Sequence, residues 1–406
     1  MVKLGRTIKL RLYLDTIQAG EFLAMTQEYQ RLANIVSQWV FDHDFPLSWL
    51  KINNHLYKKF RQESALNSQM VQSVFRTVVA RYKTVQEQMK QHFYRYKAAD
   101  NKWIQIPRGL TWLEKPIYFR RPQADLVRQS NYSFINGMTQ ISITTLGKRT
   151  KLAFTNKGFE DYFQGDWKLG TAKLIHSQGK WFLHIGITKD VADFDREGSP
   201  QIVGIDRGLR FLATAYDHLG KTTFFDGQKI LLRRKKFLEN RRRLQSKGSK
   251  SAKKKLKQLA QRENRWMADV NHRLAKTLVA AYGAHTLFVL EDLTNVTFNT
   301  DELPKPLRNS HRSWAFFQLE VFLTYKAQAV QSTVVKVSPA YTSQRCPKCG
   351  LIEKTNRHHD THEYWCAQCQ YRCNDDRLGA MNIEMLGEAW LNGVKRPKIQ
   401  KLTITG

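Results

Sequence analysis

Cys346, Cys349, Cys366 and Cys369 form two C-x-x-C pairs with sixteen residues between them. In each pair one tight turn can aim two thiolates at a single ion, and the intervening stretch folds back to complete a tetrahedron. The spacing therefore predicts a closed, structural zinc site rather than disulfides. Cys373, four residues past the last pair, reads as a buried, inert thiol. His358, His359 and His362 lie inside the loop and read as polar loop residues, because four thiolates already satisfy the ion.

A second chemistry comes from three acids. Asp206 closes the apolar run Ile202-Val-Gly-Ile, Glu291 closes Phe288-Val-Leu, and Asp376 precedes an apolar helix that opens Leu378-Gly-Ala-Met-Asn-Ile. Phosphodiester hydrolysis by two Mg²⁺ ions about 4 Å apart needs carboxylates delivered from different elements to one sheet edge. Taken singly, an Asp after a strand is usually a turn former or helix cap. Asp292 and Asp375 are adjacent competitors for the same role, with Asp375 expected to be the tolerant neighbour. Beside a zinc knuckle in a basic chain, the three-acid set is the better explanation.

The charge names the partner. Lys and Arg outnumber Asp and Glu by 66 to 35 in 406 residues, a net charge of +31 that self-repels unless a polyanion covers it. Between Arg233 and Arg262 fourteen residues are Lys or Arg and one, Glu239, is acidic. Leu238, Leu244, Leu256 and Leu259 keep helical spacing there, so the run is a solvated helical hairpin or a phosphate-tracking surface. So many cations against one acid favour the second. The nucleic-acid contacts are then expected from Arg233, Arg234, Lys235, Lys236, Arg241, Arg242, Arg243, Lys253, Lys254 and Lys255. Ribosomal and structural nucleic-acid proteins share this balance, so charge does not name the activity. With no run of 18 apolar residues and no signal-peptide core, a soluble intracellular protein with reduced thiols is expected, and a membrane surface is not the partner.

These groups need elements to hold them. Residues 7–14 alternate apolar with polar or basic positions, the pattern of a half-buried strand. From about 17 to 100 the spacing is helical, with Phe22, Met25, Tyr29, Leu32, Ile35 and Val36 in one stripe and Met70, Val74, Val78, Tyr82 and Val85 in another. Between 103 and 197 the period returns to two. Short antiparallel strands at Trp103, Ile117, Gln140, Lys151, Thr171 and Trp181 suggest a small barrel or sandwich completed by the N-terminal strand. After Gly198-Ser-Pro, strands at 202–206, 211–216, 222–225, 286–290 and 334–337 mixed with helices indicate an α/β sheet of RNase H-like shape. Trp49, Trp112 and Trp167 are expected in cores rather than stacked on bases.

Gly204-Ile-Asp-Arg-Gly, Leu290-Glu-Asp-Leu, Ser313-Trp-Ala-Phe-Phe-Gln-Leu, Tyr325-Lys-Ala, Thr342-Ser-Gln-Arg-Cys-Pro-Lys-Cys-Gly, Cys366-x-x-Cys and Asp376-x₅-Asn-Ile occur in that order. Order and wording resemble the TnpB family of transposon-encoded RNA-guided nucleases, relatives of the type V CRISPR effectors. The match covers roughly 200–388 by motif and the N-terminal half in architecture alone. The resemblance implies a multidomain α+β protein. A wedge-domain strand would span 1–15, a helical recognition lobe 16–102 and a β-rich, barrel-like wedge domain 103–197. A RuvC-like nuclease domain would span 198–340, with a basic helical region at 228–282. The zinc knuckle would follow at 341–373, and 374–406 would end the nuclease domain.

It further implies an RNA-guided DNA endonuclease with Asp206, Glu291 and Asp376 as catalytic carboxylates. The expected cofactors are two Mg²⁺, one structural Zn²⁺ and a guide RNA; the partner is double-stranded DNA beside a short flanking motif. A monomer in the cytoplasm of a prokaryote, associated with the nucleoid, fits this picture. A cleavage-dead RNA-guided repressor, a transposase-like recombinase and a plain zinc-bearing RNA-binding module are the alternatives. The family wording is departed from in two places. Leu378-Gly379-Ala380 replaces Asn-Ala-Ala, and Cys373 stands about where a His is usual.

Overall fold

The computed structural model describes residues 1–90, 93–198, 200–293, 316–358 and 360–400. Ser313, Trp314 and Ala315 of the motif above, and His359 of the knuckle, lie outside the described residues. The chain divides into two compact units, Gly5–Asp190 and Met1–Leu4 with Val191–Gly406. Among the described residues no helix is long and apolar enough to cross a membrane.

In the first unit, strand β1 (Val2–Tyr13) leads into helix α1 (Thr16–Asp42), which starts at a capping box between Asp15 and Gln18. Helices α2 (Trp49–Glu63) and α3 (Ser68–Lys90) follow. A two-stranded hairpin comes next, β2 (Tyr94–Lys97) and β3 (Trp103–Ile106). Six further strands complete the unit: β4 (Gln123–Leu126), β5 (Tyr132–Ile135), β6 (Gln140–Thr144), β7 (Arg149–Thr155), β8 (Lys168–Ser177) and β9 (Lys180–Val191). They form a sheet in the order β4-β8-β9-β1-β7-β6-β5, and a bridge between Arg128 and Tyr132 joins its edge segments, leaving it nearly closed.

The helical block and the β-rich stretch are not separate domains. Phe22, Met25 and Leu32 of α1 and Met70, Val74 and Val78 of α3 share one core with Leu10, Ile141 and Leu183 of the sheet. Each surface is apolar on one side only, and each satisfies the other's need for cover. The helical stretch expected to run to about 102 has given way to strand by Tyr94, where β2 begins. The strand expected at Ile117 is replaced by extended chain bonded to helix side chains. Asn34 Oδ1 accepts from Phe119 N at 2.8 Å, Gln30 Nε2 donates to Phe119 O at 2.7 Å, and Ser37 Oγ donates to Ile117 O at 2.6 Å. Alternation alone cannot distinguish these partners from a neighbouring strand. Trp49 and Trp167 pack against the core as expected, whereas Trp112 is 41% exposed.

In the second unit β10 (Gln201–Asp206), β11 (Phe211–Asp217), β12 (Thr222–Asp226), β13 (Thr286–Glu291) and β14 (Thr333–Val337) form a sheet in the order β12-β11-β10-β13-β14. The first three are antiparallel; β13 and β14 run parallel to β10. Helices α4 (Gln228–Lys247), α5 (Lys250–Tyr282) and α6 (Phe316–Gln328) precede a small three-stranded sheet. That sheet is β15 (Arg357–His358), β16 (Glu363–Trp365) and β17 (Arg372–Asn374), followed by helix α7 (Asp375–Leu391).

Both faces of the central strands are covered, which is why they read as continuous apolar runs. Val203, Ile205, Phe288 and Leu290 face Leu274, Leu278 and Leu323 of α5 and α6. Ile202, Leu287 and Val289 face Ile383 and Leu386 of α7. Gly204 lets α7 approach, since a Cβ there would overlap Ala380 O and Glu384 N.

Glu384 is buried in the same seam. Desolvation, then the charges of Glu388 and Asp217, push its carboxyl up from 4.5 to about 7. The folded state thus holds this proton more tightly than the unfolded chain does. The stabilisation is full below the unfolded value near 4.5 and is lost as pH rises through about 7. Glu384→Gln, a neutral isostere, is expected to remove this component. Its Tm advantage over the parent should be small at pH 5 and grow by pH 8, the increase worth on the order of 2 kcal/mol. A parent and variant that melt in parallel across that range would disprove the assignment.

Candidate active site and metal centre

Asp206 and Glu291 end neighbouring parallel strands. The β10–β13 register pairs Ile205 with Leu290, so both carboxylates emerge at one sheet edge. Helix α7 crosses beside them and brings Asp376 in its first turn. A Cβ on Gly379 would lie 2.5 Å from Asp206 Oδ2, so glycine leaves the Asp206 carboxylate room against the helix backbone.

The electrostatics follow from that crowding. Burial, then the charges of Glu291 and Asp376, raise the Asp206 carboxyl well above its ordinary range. Burial also raises Glu291, against a hydrogen bond from Thr342 Oγ1 to Glu291 Oε1 at 2.5 Å. Burial and the Asp375 charge raise Asp376, whose Oδ2 is buried without a hydrogen-bond partner among the described residues. All three carboxyls are thus raised towards the neutral form by burial, the other two acids adding to it at Asp206, and with the orphaned oxygen of Asp376 this suits a site that takes a cation.

The neighbours are placed differently. Asp292 pairs with Lys336 at 3.4 Å. Asp375 is 1% exposed in its side chain and holds Arg357 at 3.0 Å, so it is a buried ion-pair member. His362 Nδ1 lies 3.6 Å from Asp375 Oδ1. His362, Asp375 and Asp376 each offer a ligand atom within 4.8 Å of the others. Sequence reasoning missed this histidine as a site residue, because nothing in the spacing of a knuckle loop shows which way it folds back.

The cluster is held by polar contacts that the motif wording carries. Asn374 caps α7, accepting from Asp376 N and Arg377 N, and donates to His362 O at 3.1 Å. Buried Asn382 donates to Thr342 O and Arg345 O, both at 2.8 Å, tying α7 to the segment whose hydroxyl orients Glu291. Arg207, with a side chain 1% exposed, donates to Glu291 O at 2.6 Å.

The four knuckle thiols converge: all four sulfurs lie within 4.8 Å of one another, with Cys346–Cys369 and Cys349–Cys366 each at 3.5 Å. Those separations are far beyond a disulfide bond of about 2 Å and close to the ~3.8 Å edge of a tetrahedron with Zn–S near 2.3 Å. Burial pushes Cys346 up to about 12. Burial pulls Cys366 the same way, but the N–H groups of Cys369 and Gln368 outweigh it and draw that thiol down to about 7. No histidine joins this group among the described residues, and Cys373 stands outside it, half-buried.

The basic run forms the antiparallel hairpin of α4 and α5 and buries Phe237 and Ala252. Arg233, Lys235, Lys236, Arg242, Arg243, Lys253, Lys254 and Lys255 are exposed. Arg241 pairs with Glu263 across the hairpin, and Arg234 is half-buried.

Residues 316–383 match the family model described as Cas12f1-like, TNB domain, and residues 194–295 match OrfB_IS605, a probable transposase. The CRISPR-associated endodeoxyribonuclease Cas12f1 of Syntrophomonas palmitatica is 29% identical over 248 residues, covering 56% of this chain and 46% of that protein. The putative RNA-guided DNA endonuclease InsQ of Escherichia coli K12 is 31% identical over 232 residues, covering 54% of this chain and 56% of that one. The chain thus spans about half the length of the curated relatives it matches. A solved Cas12f1–sgRNA–target DNA complex shares the fold, with a TM-score of 0.64 at 12% identity, over 94% of this chain and 99% of that one.

Proposed function

We propose that the chain is an RNA-guided DNA endonuclease of the TnpB/Cas12f family, a reading supported by the matches over residues 194–295 and 316–383 and by the relatives above. It hydrolyses phosphodiester bonds in double-stranded DNA beside a short flanking motif, with the sequence chosen by pairing to a bound guide RNA. The observation that carries this reading is the edge where Asp206, Glu291 and Asp376 meet from two parallel strands and a crossing helix. The strand order β12-β11-β10-β13-β14 supports an RNase H-like, RuvC-type nuclease domain around it.

Asp206, Glu291 and Asp376 would hold Mg²⁺, for which oxygen donors are suited. Bound there, the metal supplies an activated water and neutralises charge on the leaving oxygen. Thr342 fixes one oxygen of Glu291. Asn374 holds the backbone of Asp376, and the Arg357–Asp375 pair pins the knuckle beside it. Exposed cations of α4 and α5 track phosphates. The unit Gly5–Asp190 carries the recognition lobe and wedge, and the knuckle carries a structural Zn²⁺.

The test is reconstitution with and without co-purified RNA, followed by exchange of the RNA's terminal segment. Cleavage should require the RNA, and the cut should move to DNA matching the new segment. RNA-free protein cutting the same sites would overturn guide dependence in favour of a recombinase-type activity. RNA-dependent binding to matched DNA without any cut would favour a repressor.

A further inference from the structure

The β2–β3 hairpin has two exposed faces of opposite chemistry. Its register pairs Tyr94 with Ile106 and Tyr96 with Ile104, which puts these four side chains on one face, each between 36% and 47% exposed. Tyr94 and Tyr96 stand 6.0 Å apart, and Trp112 extends the row, 5.6 Å from Tyr94 with the Arg108 guanidinium 5.3 Å above its ring. The opposite face carries Arg95 and Lys97 with Gln105 and Trp103. The hairpin's one acid, Asp100, sits at the turn and is paired with Lys102 at 3.2 Å.

A ribbon of four residues per strand is marginal in water by itself, and an aromatic face left open indicates a partner. Charge selects the partner's class. A row of exposed rings with the Arg108 guanidinium over Trp112, on a ribbon that also carries Arg95 and Lys97, matches a strand whose bases stack while its phosphates are neutralised. A protein partner would gain nothing from the cationic side unless it were acidic, and a second copy of this chain is strongly basic.

We propose that Tyr94, Tyr96 and Trp112 form a stacking platform for unpaired bases of a bound nucleic-acid strand, with Arg108 beside Trp112 holding its backbone and Arg95 and Lys97 on the ribbon's other face adding positive potential. This deepens the function proposed above and rests on its nucleic-acid-binding part, but not on cleavage. The test therefore reads binding alone, using the full chain with a fluorescein-labelled 15-nucleotide single-stranded DNA and the corresponding duplex. Tyr94→Ala/Tyr96→Ala/Trp112→Ala is expected to weaken single-strand binding about tenfold or more and duplex binding less than threefold. Tyr94→Phe/Tyr96→Phe, which keeps the rings, should stay within twofold of the parent. An oligonucleotide carrying 5-iodouracil should photocrosslink to peptides containing these aromatics.

Equal single-strand affinity in the Ala variant, or crosslinks found only elsewhere, would overturn the platform. So would equal weakening for single strand and duplex, which would point to the chain's general charge. A loss of dimer mass by light scattering on Ala substitution would assign the face to self-association instead. Failure of guide exchange to move the cut would leave this result untouched, so the two readings fail separately.

Discussion

Asp206→Asn is expected to lower DNA cleavage at least ~10³-fold while nucleic-acid affinity stays within about threefold, because it removes several kcal/mol of charge stabilisation at the reacting phosphate and no backbone contact. The structure adds a second, independent sign. Asp206 is buried against Glu291 and Asp376, which together hold its carboxyl well above the ordinary range. Without divalent ions the neutral amide therefore relieves repulsion, and the variant should melt higher than the parent at pH 8. Added Mg²⁺ should raise the parent's Tm and leave the variant's nearly unmoved. Asp375→Asn should do the reverse, since it strands the Arg357 guanidinium that Asp375 now holds at 3.0 Å. Breaking a buried pair of this kind costs about 3 kcal/mol. Thermal melts and plasmid cleavage on the two variants separate a metal-binding acid from an ion-pair acid. An Asp206→Asn protein that cuts normally would end the assignment, and an Asp375→Asn protein that melts higher would reverse the roles of the two acids.

Cys366→Ser is expected to reduce cleavage ~100-fold or more without touching a catalytic group. Structural Zn²⁺ of this kind contributes on the order of 10 kcal/mol to its local fold. The knuckle organises both sides of the carboxylate cluster. Thr342, four residues before Cys346, bonds Glu291, while Arg357 and His362 inside the loop face Asp375 beside Asp376. Losing the metal should free all of these at once. Elemental analysis should find about one zinc per chain in the parent and less in the variant, while Cys373→Ala keeps both metal and activity. A zinc-free parent preparation with full activity would refute the structural role.

Much of this was legible in the residues alone. The cysteine spacing specified a four-thiolate site because its geometry is set by two local turns. The acids at strand ends were legible because a buried parallel strand is a continuous apolar run, and its terminating charge stands out. Helical and strand periods were legible in both halves for the same local reason. Periodicity, however, records that a face is apolar and not what covers it. Only the fold showed that the α1–α3 block and the seven-stranded sheet share one core, and that Ile117–Phe119 bonds to helix side chains instead of a strand. The same limit hid the site's finer parts. His362 lies fourteen residues from Asp376 in sequence, and loop closure alone brings it beside the acids. Gly379 is unremarkable in a helix until Asp206 packs against it, and Asp375 and Asp376 are indistinguishable as letters. Adjacent residues on a helix face different directions, and which of them meets the sheet edge is decided by how α7 docks, a property of long-range packing that no local pattern carries.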